Sequence, residues 1–146
     1  MDNSKLRDLR EYHDFTQQYV ANILGVKQQT YAEWESGRKI IPLKHLVTLA
    51  TFYNKSIDYL LGLTNKQESF IYKQLDKSEI GRKIKLIRKN NNILQKDLAN
   101  MLNTTPSTIC AYEKGKTLIL TIFLYQICKQ YNYSLDLIIG GKKKGT

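Results

Sequence analysis

The sequence predicts an all-α chain built from two tandem copies of one five-helix domain. Three observations carry that expectation. Laying Gln17 over Gln95 sets an offset of 78 residues, and the register then holds without a gap from about Asn3 to Gly62. Apolar residues recur at helical spacing in short segments punctuated by Gly, Asn and Pro, and no segment alternates as a half-buried strand does. A content of 42% hydrophobic and 25% charged residues suits a folded core and argues against wholesale disorder. The expected domains are residues 1–63 and 81–141, joined by a linker at 64–80 and followed by a basic tail at 142–146.

In this register Lys5, Arg10, Gln17, Ala21, Asn22, Leu24, Thr30, Glu35 and Gly37 meet identical residues 78 positions on. Ile41, Leu46, Tyr53, Asn54, Ser56, Asp58 and Gly62 do the same. A duplication on this scale gives two units of about 60 residues, close to the lower limit for a domain that folds alone.

Five helices are expected in each copy. The first covers residues 5–12, with Leu6 and Leu9 as its buried stripe. Thr16 caps the second, which buries Val20, Ile23 and Leu24. The third runs over residues 28–35 and stops at Gly37, a residue suited to a left-handed C-cap. Pro42 opens the fourth, with Leu43, Leu46, Val47 and Ala50 inward, and Ser56 caps a last helix holding Ile57, Leu60 and Leu61. The second copy follows the same plan, with Thr105-Pro106 opening its third helix. In the linker, Phe70, Ile71 and Leu75 are spaced as an amphipathic helix would space them, which makes the linker partly helical.

Composition narrows the function. A net charge of +10 and a pI near 9.6 point to a polyanionic partner. The charge is unevenly shared: residues 1–63 hold 8 basic and 7 acidic side chains, whereas residues 81–146 hold 12 and 3. Arg82, Lys83, Lys85, Arg88, Lys89 and the tail Lys142, Lys143 and Lys144 make the second copy the one with a phosphate-attracting field. Cys110 and Cys128 align with Ala32 and Ala50, positions of small residues in helices, and only His13 and His45 could join them, so neither a metal site nor a cofactor is expected. Tyr19, Tyr31, Tyr53 and Tyr131 stand beside apolar residues and are expected to pack rather than stack on bases. No nucleophile–base pair or phosphate loop is evident, so no catalytic residue is assigned and an enzyme is not expected. No apolar run approaches the roughly 20 residues a membrane span needs. The polar start of the chain carries no signal peptide, so a cytoplasmic, nucleoid-associated protein with no membrane partner and no evident small-molecule ligand is expected.

The most informative segments are residues 17–36, QQYVANILGVKQQTYAEWES, and 95–114, QKDLANMLNTTPSTICAYEK. Two helices crossing steeply through a short turn need a small residue at their contact, which Ala21 and Ala99 supply. The turn needs a residue that accepts positive φ, which Gly25 does freely and Asn103 next best. Tyr31 and Trp34, or Ile109 and Tyr112, then bury one side of the second helix of the pair.

With Gln17, Ala21, Gly25, the run Trp34-Glu35-Ser36-Gly37-Arg38 and the closing Asp58-Tyr59-Leu60-Leu61-Gly62, each copy resembles the lambda-repressor-like Cro-type family, also called the xenobiotic-response-element family, of bacterial and phage helix-turn-helix regulators. The resemblance covers about 60 residues in each copy. It implies a five-helix bundle that lays its third helix in the major groove of double-stranded DNA. It also implies that Gln17 and Gln95, with Arg38, Lys39 and Lys116, hold phosphates. Arg10–Glu35 and Arg88–Glu113 are implied as structural ion pairs. Base contact falls to Lys27, Gln28, Gln29 and Glu33 in the first copy and to Thr105, Ser107 and Thr108 in the second. Gln can bond bidentately to adenine and Glu can accept from cytosine, whereas Thr105, Pro106, Ser107 and Ala111 offer single hydroxyls or methyl contacts.

The expected function is therefore a sequence-specific DNA-binding transcriptional regulator, with repression as the expected sign. The alternative is a chain in which one domain binds DNA and the other is a protein-interaction or dimerisation module of antitoxin or adaptor type. A homodimer or a protein partner stays open on the sequence.

Overall fold

The computed structural model describes residues 1–145; Thr146, the end of the expected tail, lies outside the described residues. The chain divides into two compact units. The first comprises residues 1–71 and the C-terminal residues from Lys142 onward, and the second residues 72–141.

The first unit holds α1 (Ser4–Tyr12), α2 (Gln17–Leu24), α3 (Gln28–Glu35), α4 (Leu43–Tyr53) and α5 (Ile57–Leu60). Thr16 and Ser56 cap α2 and α5 by accepting the amides of Tyr19 and Tyr59 at 3.0 Å each. The core is built from Leu6, Val20, Ala21, Tyr31, Leu46, Leu49, Ile57, Leu60 and Leu61, all fully enclosed. Each large side chain among them contributes roughly 1.5–3 kcal/mol by leaving water. Three expected core residues, Leu9, Ile23 and Val47, are only half-buried, because each sits at the edge of its helix's inward stripe. Leu49 takes the interior position in α4 instead.

The second unit holds α6 (Lys77–Asn90), α7 (Gln95–Met101), α8 (Pro106–Glu113), α9 (Thr121–Tyr131) and α10 (Leu135–Ile138). Its core is Ile80, Ile84, Leu98, Ala99, Ile109, Leu124 and Leu135. The duplication is written into the backbone. Five positions between residues 1 and 71 have positive φ, namely Asp14, Gly25, Gly37, Asn54 and Gly62, and all five recur 78 residues on as Asn92, Asn103, Gly115, Asn132 and Gly140. The turn between α2 and α3 has φ of +69° at Gly25, and its counterpart has +57° at Asn103, where asparagine tolerates the left-handed region.

The linker departs from the amphipathic helix expected around Phe70, Ile71 and Leu75. Helix is confined to residues 77–80, which are the first turn of α6, where the Asp76 carboxylate accepts the amides of Ser78 and Glu79 at 2.9 and 3.2 Å. Phe70–Ile71 is a short strand, β1, paired antiparallel with β2 (Lys142–Lys143), with Phe70 opposite Lys143. Phe70 is buried on the first unit while Ile71 faces outward, the alternation of a strand. The tail, expected as a free basic end, is thus held. Lys143 Nζ pairs with Glu68 at 3.1 Å, the Lys144 amide donates to Ser69 O at 2.9 Å, and Lys144 Nζ reaches Asn54 Oδ1 at 2.9 Å. Backbone partners for an extended segment decide the matter here, and they come from some 70 residues away in sequence. No helix among the described residues is long and apolar enough to cross a membrane.

Gly81 lets α6 lie against the end of α8. A Cβ built there would come within 2.1 Å of the Tyr112 carbonyl oxygen and 3.0 Å of that of Glu113. Gly81→Ala is therefore expected to destabilise the second domain despite alanine's better helix propensity, worth about 1 kcal/mol. Overpacking typically costs about 1–3 kcal/mol and here falls on backbone that cannot rotate away, so the melting temperature should fall by several degrees. A calorimetric scan showing an unchanged or raised transition would refute this account of the α6–α8 contact.

Candidate nucleic-acid interface

The geometry of the interface in the first unit starts from a buried charge. Glu35, at the end of α3, exposes 3% of its side chain. Its carboxylate accepts Arg10 Nε at 2.8 Å and Nη2 at 2.9 Å in a bidentate pair, and Arg10 Nη1 donates to Phe15 O at 2.9 Å. Burial pushes the Glu35 carboxyl upward, but its hydrogen bonds to Arg10 and to Gln17 outweigh this and hold it below the ordinary glutamate value.

From Glu35 the network runs outward to the surface. Gln17, the first residue of α2, donates Nε2 to Glu35 Oε1 at 3.3 Å, and its own Oε1 accepts Gln28 Nε2 at 2.7 Å. A chain of side-chain contacts thus joins Arg10 in α1 through Glu35 and Gln17 to Gln28, which opens α3 on the exposed side of the unit. Lys27 and Gln29 flank it and are exposed. Glu33, one turn further on, is half-buried and lies 3.4 Å from Lys39 Nζ, so two residues expected to meet DNA separately, one at a base and one at a phosphate, meet each other. Arg38 is exposed beside them.

The second unit repeats the anchor and changes the surface. Arg88 Nε and Nη2 donate to Glu113 at 2.7 and 3.0 Å, Arg88 Nη1 to Ile93 O at 3.0 Å, and Gln95 Nε2 to Glu113 Oε1 at 3.1 Å. Pro106 stands where Gln28 does, so the outward step from the glutamine is missing. Thr105 caps α8 by accepting the Thr108 amide at 3.2 Å, and the two hydroxyls lie 3.0 Å apart. Of the three residues expected to contact bases, these two satisfy one another and Ser107 stands exposed. Lys116 is exposed, and its carbonyl accepts Lys77 Nζ at 3.3 Å.

The basic field of the second copy is smaller than its composition implies. Arg88 is spent on Glu113, Lys83 reaches Glu79 at 3.4 Å and Leu137 O at 3.0 Å, and the tail lysines are held on the first unit. Arg82, Lys85 and Lys89 stand exposed on α6.

The Gln17–Gln28 contact spans 11 residues across a turn and the Gln17–Glu35 contact spans 18. Neither falls in a helical i, i+4 pattern, which is why the sequence assigned these glutamines separate roles. His13 and His45, which have no partner readable from sequence, stack on rings: His13 between Phe15 and Tyr53 at 5.4 and 5.7 Å, and His45 on Trp34 at 4.9 Å.

Comparison with known proteins matches both units. Residues 6–60 match the family model described as helix-turn-helix, and residues 81–144 match a second described as helix-turn-helix domain. The chain is 41% identical over 61 residues to the uncharacterized HTH-type transcriptional regulator YobD of Bacillus subtilis, covering 42% of this chain and 54% of that protein. It is 33% identical over 69 residues to the HTH-type transcriptional regulator AnsR of Bacillus subtilis, covering 47% and 60%. It is also 41% identical over 62 residues to the cryptic phage CTXphi transcriptional repressor RstR of Vibrio cholerae, covering 42% and 56%. The chain therefore spans little more than half the length of these curated relatives. No solved structure matches it.

Proposed function

We propose that this chain, which consists of two tandem helix-turn-helix domains, is a sequence-specific double-stranded-DNA-binding transcriptional regulator that reads bases with α3 of its first domain. The observation that carries this reading is the exposed glutamine pair at the start of α3, one member of which is held by Gln17. A side chain fixed before it meets a base loses less rotamer freedom on binding. Gln28 and Gln29 can each address an adenine, and a good bidentate pair discriminates by roughly 1–3 kcal/mol. Arg38 and Lys39, adjacent in the chain, supply cations for phosphates, which set register without reading sequence, and Lys27 stands with the glutamine pair among the base-facing residues. Repression is the sign favoured by the name of the Vibrio cholerae relative.

The two domains are assigned unequal tasks. Pro106 and the Thr105–Thr108 pairing leave α8 with Ser107 as its outward hydrogen-bonding side chain among the early positions, so the second domain is assigned a supporting role on DNA. The same features favour the second reading, in which that domain serves a protein partner.

Selection from random duplex DNA tests the assignment. The full chain is expected to recover a motif whose adenine preference at two neighbouring positions disappears in Gln28→Ala/Gln29→Ala, while Ser107→Ala changes one position at most. A motif that survives the glutamine changes intact contradicts the assignment of α3 as reader.

A further inference from the structure

A second surface in the second domain has the composition of a protein-docking face. In α6, Leu86 exposes 58% of its surface. Its neighbours along the helix, at i−4, i−3 and i+3, are Arg82, Lys83 and Lys89. Lys83 Nζ touches Leu137 O at 3.0 Å, which sets α10 beside this part of α6, and Leu137 exposes 56% of its surface. Tyr133, on the turn before α10, is also exposed.

The internal duplication shows what this arrangement builds. In the first domain the counterparts of Leu86, Tyr133 and Leu137 are Asp8, Lys55 and Tyr59, and all three line one groove of about 500 Å³. There Lys5, the counterpart of Lys83, lies 5.1 Å over the Tyr59 ring. At these three positions the first domain has a carboxylate, an ammonium and a tyrosine ring, in a groove that Leu9, Tyr12 and Tyr53 also line, whereas the second places two leucines and a tyrosine there. Around them the counterparts of Arg82 and Lys89 are Ser4 and Glu11, so the cationic rim is also peculiar to the second domain. The fold does not require either change, since the first domain folds without them.

We propose that the α6–α10 face of the second domain docks an acidic amphipathic helix of a partner protein, whose apolar stripe covers Leu86, Tyr133 and Leu137 and whose carboxylates meet Arg82 and Lys89, the two exposed cations of that face. Charge complementarity selects an acidic occupant, and the exposed apolar centre selects a protein over a phosphodiester backbone, which has nothing to bury against two leucines and a tyrosine ring. Leu86 lies about 140° round α6 from Gly81 and about 160° from Arg88, the residues that face α8, so it points away from that helix.

The test titrates the full chain with a synthetic helical peptide of leucine stripe and glutamate rim, with an oligoglutamate of equal charge, and with duplex DNA. Amide shifts in the unaltered protein should move at Leu86, Tyr133 and Leu137 with the amphipathic peptide. Its affinity should fall about tenfold or more in Leu86→Ser/Leu137→Ser and in Arg82→Glu/Lys89→Glu, and oligoglutamate should bind about tenfold more weakly. Duplex affinity of the leucine variant should stay within about twofold, a change too small to reflect a lost contact. Equal binding of both peptides, shifts elsewhere, or a tenfold loss of duplex affinity in the leucine variant would overturn the proposal. So would a dimer that dissociates on the leucine changes, because the occupant would then be a second copy of the chain.

Discussion

Arg10→Met is expected to destabilise the first domain by about 3–5 kcal/mol while leaving the second unaffected. The substitution keeps the length and apolar bulk of the side chain but strands the Glu35 carboxylate, 3% exposed, without the guanidinium that pairs with it. Breaking a buried ion pair from one side typically costs about 3–5 kcal/mol, and a small domain has only about 5–15 kcal/mol in total. Arg10→Met/Glu35→Leu, which removes both charges, should recover a good part of the loss, because the destabilising element is the unpaired charge. A calorimetric trace in which the single and double variants melt alike would contradict this. The pair also makes the stability of the domain depend on pH. Because the folded Glu35 carboxyl lies below its ordinary value, its contribution is fully present above the unfolded value and is lost as pH falls through the folded one. Stability measured between neutral pH and the acid carboxylate range should therefore decline toward acid, and less so in the double variant.

Features set by one residue's own chemistry were readable from the sequence. Gly25 and Asn103 stand at a turn that demands positive φ, and both have it. Arg10 and Glu35 persist with their counterparts across the duplication, as a shared anchor must. The helix ends at Thr16, Ser56 and Thr105 were legible because their hydroxyls cap amides close by in sequence. What stayed hidden depends on distant partners. Phe70 and Ile71 read as helix until Lys142 and Lys143 supply a strand beside them. The tail lysines read as a free charged end, though Glu68 and Asn54 engage two of them. At the interface, the types of Gln17, Gln28, Glu33 and Lys39 could be read, whereas the contacts Gln17–Gln28 and Glu33–Lys39 come from how α2, α3 and the segment after it fold together. Those contacts distinguish the two units, because they separate an α3 whose Gln28 is already held by Gln17 from an α8 whose threonines engage each other.

Binding to duplex DNA should be steeply dependent on salt. Each phosphate neutralised releases condensed counterions, so the logarithm of affinity falls with the logarithm of salt concentration at a slope near −0.9 per contact. Arg38, Lys39, Lys116 and the exposed Lys27 and Lys85 give the chain enough cations for several such contacts. For about 6–10 contacts the affinity would drop by about 10³–10⁵ between 50 and 200 mM salt. The most direct measurement is the equilibrium affinity of the full chain for its selected duplex across that range. A linear, steep decline is the predicted result. A chain that fails to bind the duplex at 50 mM salt, or binds it equally well at both ends of the range, would contradict the assignment of DNA as its partner.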